Sequence, residues 1–461
     1  LVVLLNVVVK PLWLLMENAV QNEVGHEDWG TYSALLSFGF LFLIFSDLGI
    51  NQYATKSLAS RPEMLKAHFP DLFGIKLLVA FLYPFLMVFA GWLIGYGEAK
   101  LWFLLWISCI QGGMQIVLFF RANFQAAQRF KLDGVASVAD RFVLLIFVGI
   151  LLMTGIRIEE FIFARLAVTA LMILVFYFVL VRLYGWIRPR LNIGEAKKLL
   201  RFSYPFAMVM ILYSILDKVD QVMLERISGD TEAGLYAGAY RWMDAFSMYL
   251  WTVLPIFFAR FALFLSDFEE QQKLLEFGQK IAAIPLIFAS AFVFFYGEKL
   301  MFLFTNSTPD EIGVMTSCLK ALFVAVFINA IFAIFSTLLT STNHERFVNW
   351  MVGIGIVINI VLNFIFIPQY GAIASAWTTV ATYIFMSITY TIYIHRSLPL
   401  RVPYGQMLKL GLSGGLLILL FFGLTQTAMV WYLNTLIAGV FFLFLNFALG
   451  LIPRDLVKKI R

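Results

Sequence analysis

Apolar stretches of about 20 residues recur along the whole chain, each long enough to cross a hydrocarbon core of roughly 30 Å as a helix. In lipid every backbone polar group must be satisfied internally, so segments of this length are read as transmembrane helices. They fall at about 1–20, 30–54, 70–95, 101–121, 134–155, 160–182, 203–225, 234–261, 277–296, 314–340, 347–367, 372–394, 407–427 and 430–450. Composition supports the reading, since 61% of the 461 residues are hydrophobic and 13% charged, and no connection between spans is long enough for a soluble domain. The predicted fold class is an all-α integral membrane protein of about fourteen transmembrane helices.

The net charge of +6 does not point to nucleic acid, because the basic residues are scattered over short connections and form no single patch. Their distribution carries topology instead. An even number of spans puts both termini on one side, and that side carries twenty-two Lys and Arg residues, among them Lys56, Arg129, Lys197, Arg260, Arg396 and Lys459. The other side carries Lys100, Arg157, Arg226 and Lys299. Under the positive-inside rule, both termini are expected in the cytoplasm. Leu1 opens an apolar run that ends at Glu17-Asn18 with no basic n-region and no small-residue cleavage pattern, which argues for a span and against a cleaved signal peptide. Cys109 and Cys318 give neither a disulfide framework nor metal-ligand spacing. No Gly-x-x-x-x-Gly-Lys-Ser/Thr sequence is present, so nucleotide hydrolysis and bound cofactors are not expected.

The longest predicted cytoplasmic connection contains Gly194-Glu195-Ala196-Lys197-Lys198-Leu199-Leu200-Arg201, which suits a short helix lying in the headgroup region. Its central position divides the chain into a six-helix lobe at 1–183, a linker at 184–202, a second six-helix lobe at 203–395, and two added helices with a basic tail at 396–461. Weak internal symmetry agrees: Gly30-Thr31-Tyr32 matches Gly234-Leu235-Tyr236, with Tyr53 on Phe257 and Lys56 on Arg260. Each half would then carry a helix, an acidic outer loop ending in Gly-x-Tyr, and a long helix with a basic inner end.

Several local patterns occur in order. They are Val24-Gly25-His26-Glu27-Asp28-Trp29-Gly30-Thr31-Tyr32; Ser46-Asp47-Leu48-Gly49-Ile50-Asn51-Gln52-Tyr53; Ser203-Tyr204-Pro205-Phe206-Ala207; Asp217-Lys218-Val219-Asp220-Gln221; Ala233-Gly234-Leu235-Tyr236; and Asn359 through Asn363 to Pro368-Gln369-Tyr370-Gly371. Together they resemble the polysaccharide and O-antigen flippases of the multidrug/oligosaccharidyl-lipid/polysaccharide exporter superfamily, over nearly the whole chain. The resemblance implies two helical lobes around a central cavity, alternating access, and a substrate in which an oligosaccharide is joined through pyrophosphate to undecaprenol. It further implies movement from the cytoplasmic to the outer leaflet of a bacterial inner membrane for surface polysaccharide synthesis. The lipid bilayer, a polysaccharide polymerase and a chain-length regulator are the implied partners.

Charges within apolar spans are costly, so they face a cavity or a partner and mark the candidate site. The cations are Lys10, Lys76, Arg165, Arg241 and Lys320, which would supply counter-charge for pyrophosphate; Lys218 lies beside Asp217. Each cation has an alternative role in a structural ion pair. The acids Asp47, Asp217, Asp220 and Asp244 are read either as ion-pair members, with Asp220 and Arg241 at similar depth, or as sites where H⁺ or Na⁺ couples to conformational change. Asn329, Asn359 and Asn363 would line a sugar path or bond between helices. Gly112-Gly113 would allow close helix approach, and Trp29, Trp102 and Trp431 would form an interfacial belt.

Two other functions compete. A cation-coupled multidrug exporter would share the lobes but needs an acidic or apolar cavity. A membrane glycosyltransferase or polymerase needs catalytic groups on sizeable outer loops, whereas the longest here runs only from Gly297 to Gly313.

Overall fold

The computed structural model describes residues 2–53, 62–186, 188–427 and 429–452, and every regular element among them is helical. The helices are α1 (Val2–Leu41), α2 (Ile44–Asp47), α3 (Ile50–Tyr53), α4 (Pro62–Leu93), α5 (Glu98–Ala126), α6 (Phe130–Leu152), α7 (Ile158–Tyr184), α8 (Ile193–Ser228), α9 (Asp230–Leu263), α10 (Phe268–Met301), α11 (Pro309–Ser341), α12 (Glu345–Ser397), α13 (Tyr404–Thr425) and α14 (Trp431–Ala448). Ten of them are long and apolar enough to cross a membrane. Gly25 (φ 86°) and Gly371 (φ 53°) break α1 and α12 with backbone conformations that an L side chain resists. With those helices divided, and α2 and α3 set with the segment they prolong, the described residues hold fourteen long helical segments. The expected helix count therefore stands.

The connections differ from expectation in three places. The acidic loop expected before Gly30 is helical on either side of Gly25, so the turn is made at one residue. The headgroup helix expected around 194–201 is continuous with α8. The second span is interrupted, because Leu48 (φ 51°) and Gly49 (φ 74°) separate α2 from α3. Holding Leu48 in the left-handed region costs about 1–2 kcal/mol, so neighbouring contacts must enforce it.

Helix starts follow local chemistry. Thr308 and Glu311 form a reciprocal capping box with Pro309 at the first turn of α11, and the Asp267 side chain accepts from Glu270 N at the start of α10.

The chain forms two compact units, Leu1–Gly234 and Leu235–Arg461. In the first, α5 packs against α4 and α7, and α1 lies along α5, α6 and α8. Small residues permit this. A Cβ on Gly112 would stand 3.0 Å from Ala80 O, and one on Gly113 would stand 2.7 Å from Thr169 Cγ2. The two glycines that the internal symmetry equates meet directly: a Cβ on Gly30 would fall 1.8 Å from Asp230 O, and one on Gly234 would fall 1.9 Å from His26 O. Gln21 Nε2 also donates to Gly234 O at 2.9 Å. These contacts bind the end of α8 and the start of α9 to α1, so the packing boundary lies after Gly234. The lobe boundaries drawn from the repeat remain a proposal about chain organisation.

In the second unit α11 packs between α10 and α12, and α13 and α14 lie on α10. Ile287, Leu417, Phe421 and Phe442 form the centre of that last contact. The opposite faces of α13 and α14 present Leu408, Leu419, Val440 and Phe444, all largely exposed, a surface that hydrocarbon would solvate. Trp102 and Trp431 are exposed as expected of a belt, whereas Trp29 is 2% exposed and packs against Tyr32 and Phe161. Trp29 is thus a core residue, placed there by the helical continuation of α1 past Gly25.

Candidate functional site

The first unit holds two membrane-embedded cations in contrasting surroundings. Lys76, on α4, is completely buried, and its Nζ donates to Asp47 Oδ1 at 2.6 Å. Asp47 closes α2 immediately before the Leu48–Gly49 break, and Asn51 N, from α3, donates to the same carboxylate oxygen at 3.4 Å. Asn51 Nδ2 then donates to Gln115 Oε1 on α5 at 3.0 Å. A carboxylate at a helix C-terminus opposes the helix dipole, and the Lys76 charge offsets that penalty. The pair ties the broken segment to α4, and Asn51 ties it to α5.

Arg165, on α7, has no such carboxylate contact among its described hydrogen bonds. Its Nη1 donates to the Tyr32 hydroxyl, a very short contact. Its guanidinium carbon lies 5.7 Å from the Trp13 ring centre, 5.9 Å from Phe161 and 6.0 Å from Tyr32. Trp29, Tyr32 and Phe161 pack mutually at 5.2, 5.5 and 5.6 Å, which holds the Tyr32 ring and hydroxyl in place. Glu17 on α1 and Asp140 on α6 lie within electrostatic range of the guanidinium. A guanidinium carries five N–H donors. One of them is engaged here.

The remaining predicted residues are distributed over both units. Lys218 pairs with its neighbour Asp217 at 3.0 Å on α8, and Asp220 is buried on the same helix. Arg241 and Asp244 lie half-buried on α9, and each has interactions within the fold. Lys320, on α11, is half-buried with Nζ 5.6 Å from the Phe294 ring centre. Asn329 is half-buried on the same helix. Asn359 and Asn363 are buried in the α12 hairpin, where Asn363 Nδ2 donates to Asn359 Oδ1 at 3.1 Å and Thr378 Oγ1 donates to Asn363 Oδ1 at 2.6 Å. Asn363 thus joins the two arms of the hairpin across Gly371, while its bond to Asn359 lies within one arm. The Lys10 side chain and the basic tail at 453–461 lie outside the described residues.

One polar cluster was not anticipated. At the α5 end nearest Gly95, Lys100 Nζ bonds to Glu225 through a very short contact and to Asp230 Oδ1 at 2.8 Å, while Tyr96 Oη donates to Glu225 Oε2 at 3.2 Å. Arg226 donates to Ile94 O at 3.0 Å and lies 5.0 Å from the Tyr96 ring centre. This network clamps the end of α8 to α4 and α5. Its signal in the sequence was Glu225, an acid closing an apolar helix, with Asp230 just beyond. Nearby, burial followed by the charges of Glu159, Glu27 and Asp230 raises the Asp28 carboxyl above the ordinary aspartate range. No cluster suited to a metal ion occurs among the described residues.

Residues 1–259 match the model of a family described as polysaccharide biosynthesis protein. An uncharacterised membrane protein of Methanocaldococcus jannaschii is 23% identical over 188 residues, which is 40% of this chain and 42% of that protein, so the match spans less than half of either. Among solved structures, the lipid II flippase MurJ in an inward closed conformation superposes with a TM-score of 0.80 at 15% identity over 99% of both chains. An inward-facing multidrug resistance MATE family transporter of the MOP superfamily superposes with a TM-score of 0.67 at 14% identity, over 83% of this chain and 94% of its own. The fold is thus that of multi-pass membrane transporters, and the chain belongs to the polysaccharide biosynthesis protein family.

Proposed function

We propose that the protein moves an oligosaccharide linked through pyrophosphate to undecaprenol from the cytoplasmic to the outer leaflet of a bacterial inner membrane. It does so by exposing its substrate site alternately to the two sides, with both termini in the cytoplasm. The observation that carries this reading is the family match over residues 1–259, on a fold that aligns with a flippase along 99% of the chain. Sugar groups cannot enter hydrocarbon unaccompanied, because each hydroxyl stripped of its partners costs several kcal/mol. The protein must therefore replace water around the glycan and counter-charge around the pyrophosphate. Lys10, Arg241 and Lys320 are proposed for the pyrophosphate, Asn329 for the glycan path, and Asp217, Asp220 and Asp244 for H⁺ or Na⁺ coupling. A polymerase and a chain-length regulator would take up the product. No chemical step on the substrate is proposed.

The competing reading as a multidrug exporter draws on the MATE likeness, which covers 83% of this chain. The two readings separate in cells that lack their own flippase. Expression of the wild type should restore surface glycan, and Lys320→Ala or Lys10→Ala should reduce it at least tenfold with membrane expression intact. Unchanged glycan export in both variants, with loss of dye resistance, would overturn the proposal in favour of drug export.

A further inference from the structure

Local charge argues against Arg165 as a pyrophosphate ligand. Its single positive charge stands near two carboxylates, Glu17 and Asp140. Carboxylates repel a further anion. A group bearing two or more negative charges would therefore be disfavoured here, whereas an uncharged polar ligand would meet no such opposition.

The other groups at this place supply what an uncharged pyranose requires. Trp13 is half-buried, and the faces of aromatic rings attract the polarised C–H bonds on one side of a sugar ring. The Arg165 guanidinium is a planar fork. Its one described hydrogen bond goes to Tyr32, leaving donors for sugar oxygens. The Glu17 carboxylate, four residues after Trp13 and so on the same face of α1, is an acceptor for hydroxyl hydrogens. The Trp29, Tyr32 and Phe161 packing holds the site in shape before any ligand arrives.

Depth agrees with this assignment. At 1.5 Å per residue, Arg165 lies about 10 Å along α7 from Ile158, and Tyr32 about 10 Å along α1 from Gly25. The site is therefore set about two turns inside each helix.

We propose that Trp13, Arg165 and Glu17 form a recognition subsite for an uncharged pyranose of the transported glycan, separate from the residues that hold pyrophosphate. The assignment rests on the lipid-linked glycan reading above and specifies which part of that substrate the first unit selects.

The test uses the purified full chain in nanodiscs with two kinds of probe. Saturation-transfer NMR with methyl glucoside, methyl galactoside, methyl N-acetylglucosaminide and methyl glucuronide reads the sugar alone. Binding of undecaprenyl pyrophosphate and of its glycosylated form, carrying the sugar that scores best, reads the contribution of the sugar to the lipid. The wild type should bind at least one neutral glycoside and prefer the glycosylated lipid at least tenfold. Trp13→Ala and Arg165→Lys should abolish the glycoside signal and the preference, leaving bare undecaprenyl pyrophosphate within twofold of wild type. Trp13→Phe should restore part of the preference, and Glu17→Gln provides an independent variant if Trp13→Ala does not fold.

Equal loss of both lipids would make this a phosphate site, and unchanged binding of both would make it a packing feature; either overturns the proposal. Tighter binding of the glucuronide than of the glucoside would overturn its neutral character, and absence of any glycoside signal from the wild type would remove the subsite. Glycoside binding that depends on Arg165, without binding of either lipid, would instead overturn the lipid-linked substrate and leave the sugar subsite standing.

Discussion

Lys76 and Arg165 are both cations on long apolar helices of the same unit, yet their surroundings differ in kind. Lys76 is sealed against Asp47 at 2.6 Å beside a broken helix, and its charge is spent on holding that break together. Arg165 is ringed by Trp13, Tyr32 and Phe161 and keeps most of its donors disengaged. What distinguishes the two is whether the cation's partner is a fixed carboxylate or a set of aromatic rings that leaves its hydrogen-bonding capacity in reserve.

The largest effect should come from breaking the sealed pair. Asp47→Ala strands a buried ammonium and should lower stability by about 3–5 kcal/mol, read as a fall in the unfolding midpoint of the detergent-solubilised protein. Asp47→Leu combined with Lys76→Met removes both charges and should recover most of that loss. Recovery in the double variant would confirm that the pair is structural; persistent loss of transport with recovered stability would give it a second role.

A smaller loss is expected at the clamp on α8. Lys100→Ala leaves Glu225 buried with Tyr96 as its remaining described donor and should cost about 2 kcal/mol, the range for hydrogen bonds to charged groups. Arg165→Met should destabilise by only about 1 kcal/mol, the scale of a cation–π contact, while reducing glycan transport at least tenfold. A stability loss as large as that of Asp47→Ala would erase the contrast between the two sites.

The smallest effect concerns Asp28, whose carboxyl is raised above its ordinary range by burial and by neighbouring acids. The native state then binds a proton more readily than the unfolded chain, so this group costs stability above its folded pKa and the cost fades as pH falls through that value. Asp28→Asn should raise the midpoint slightly at pH 7, and the gain should vanish near pH 3. A gain that grows on acidification would contradict this sign.

Much of the fold was legible because hydrophobic length is a direct demand of the bilayer: the apolar runs map onto the helices, and Gly25 and Gly371 divide the two that run together. The breaks were less accessible. Nothing in Ser46-Asp47-Leu48-Gly49 announces a left-handed leucine, since that conformation is held by contacts of Asp47 and Asn51 with α4 and α5. Site residues were legible by type and not by partner. Hydropathy picked out Lys76 and Arg165 as equals, whereas their partners Asp47, Trp13 and Tyr32 come from other helices. Glu225 and Lys100 were not legible as a pair because each sits at a helix end, where charge is ordinary; only folding brings them together. The close approach of Gly30 and Gly234 was equally illegible, since aligning the two positions as equivalents does not say that they touch.

The central claim is transport of a pyrophosphate-linked glycan without nucleotide hydrolysis. Its most direct test is reconstitution of the purified chain in liposomes containing undecaprenyl-pyrophosphate-linked oligosaccharide, with the glycan in each leaflet scored by a lectin that cannot cross the membrane. The account predicts that the wild type exchanges glycan between leaflets at least tenfold faster than protein-free liposomes in the absence of ATP, and that Arg165→Met removes most of this acceleration. Exchange no faster than in protein-free liposomes, under conditions in which the same preparation moves a cationic dye, would contradict it.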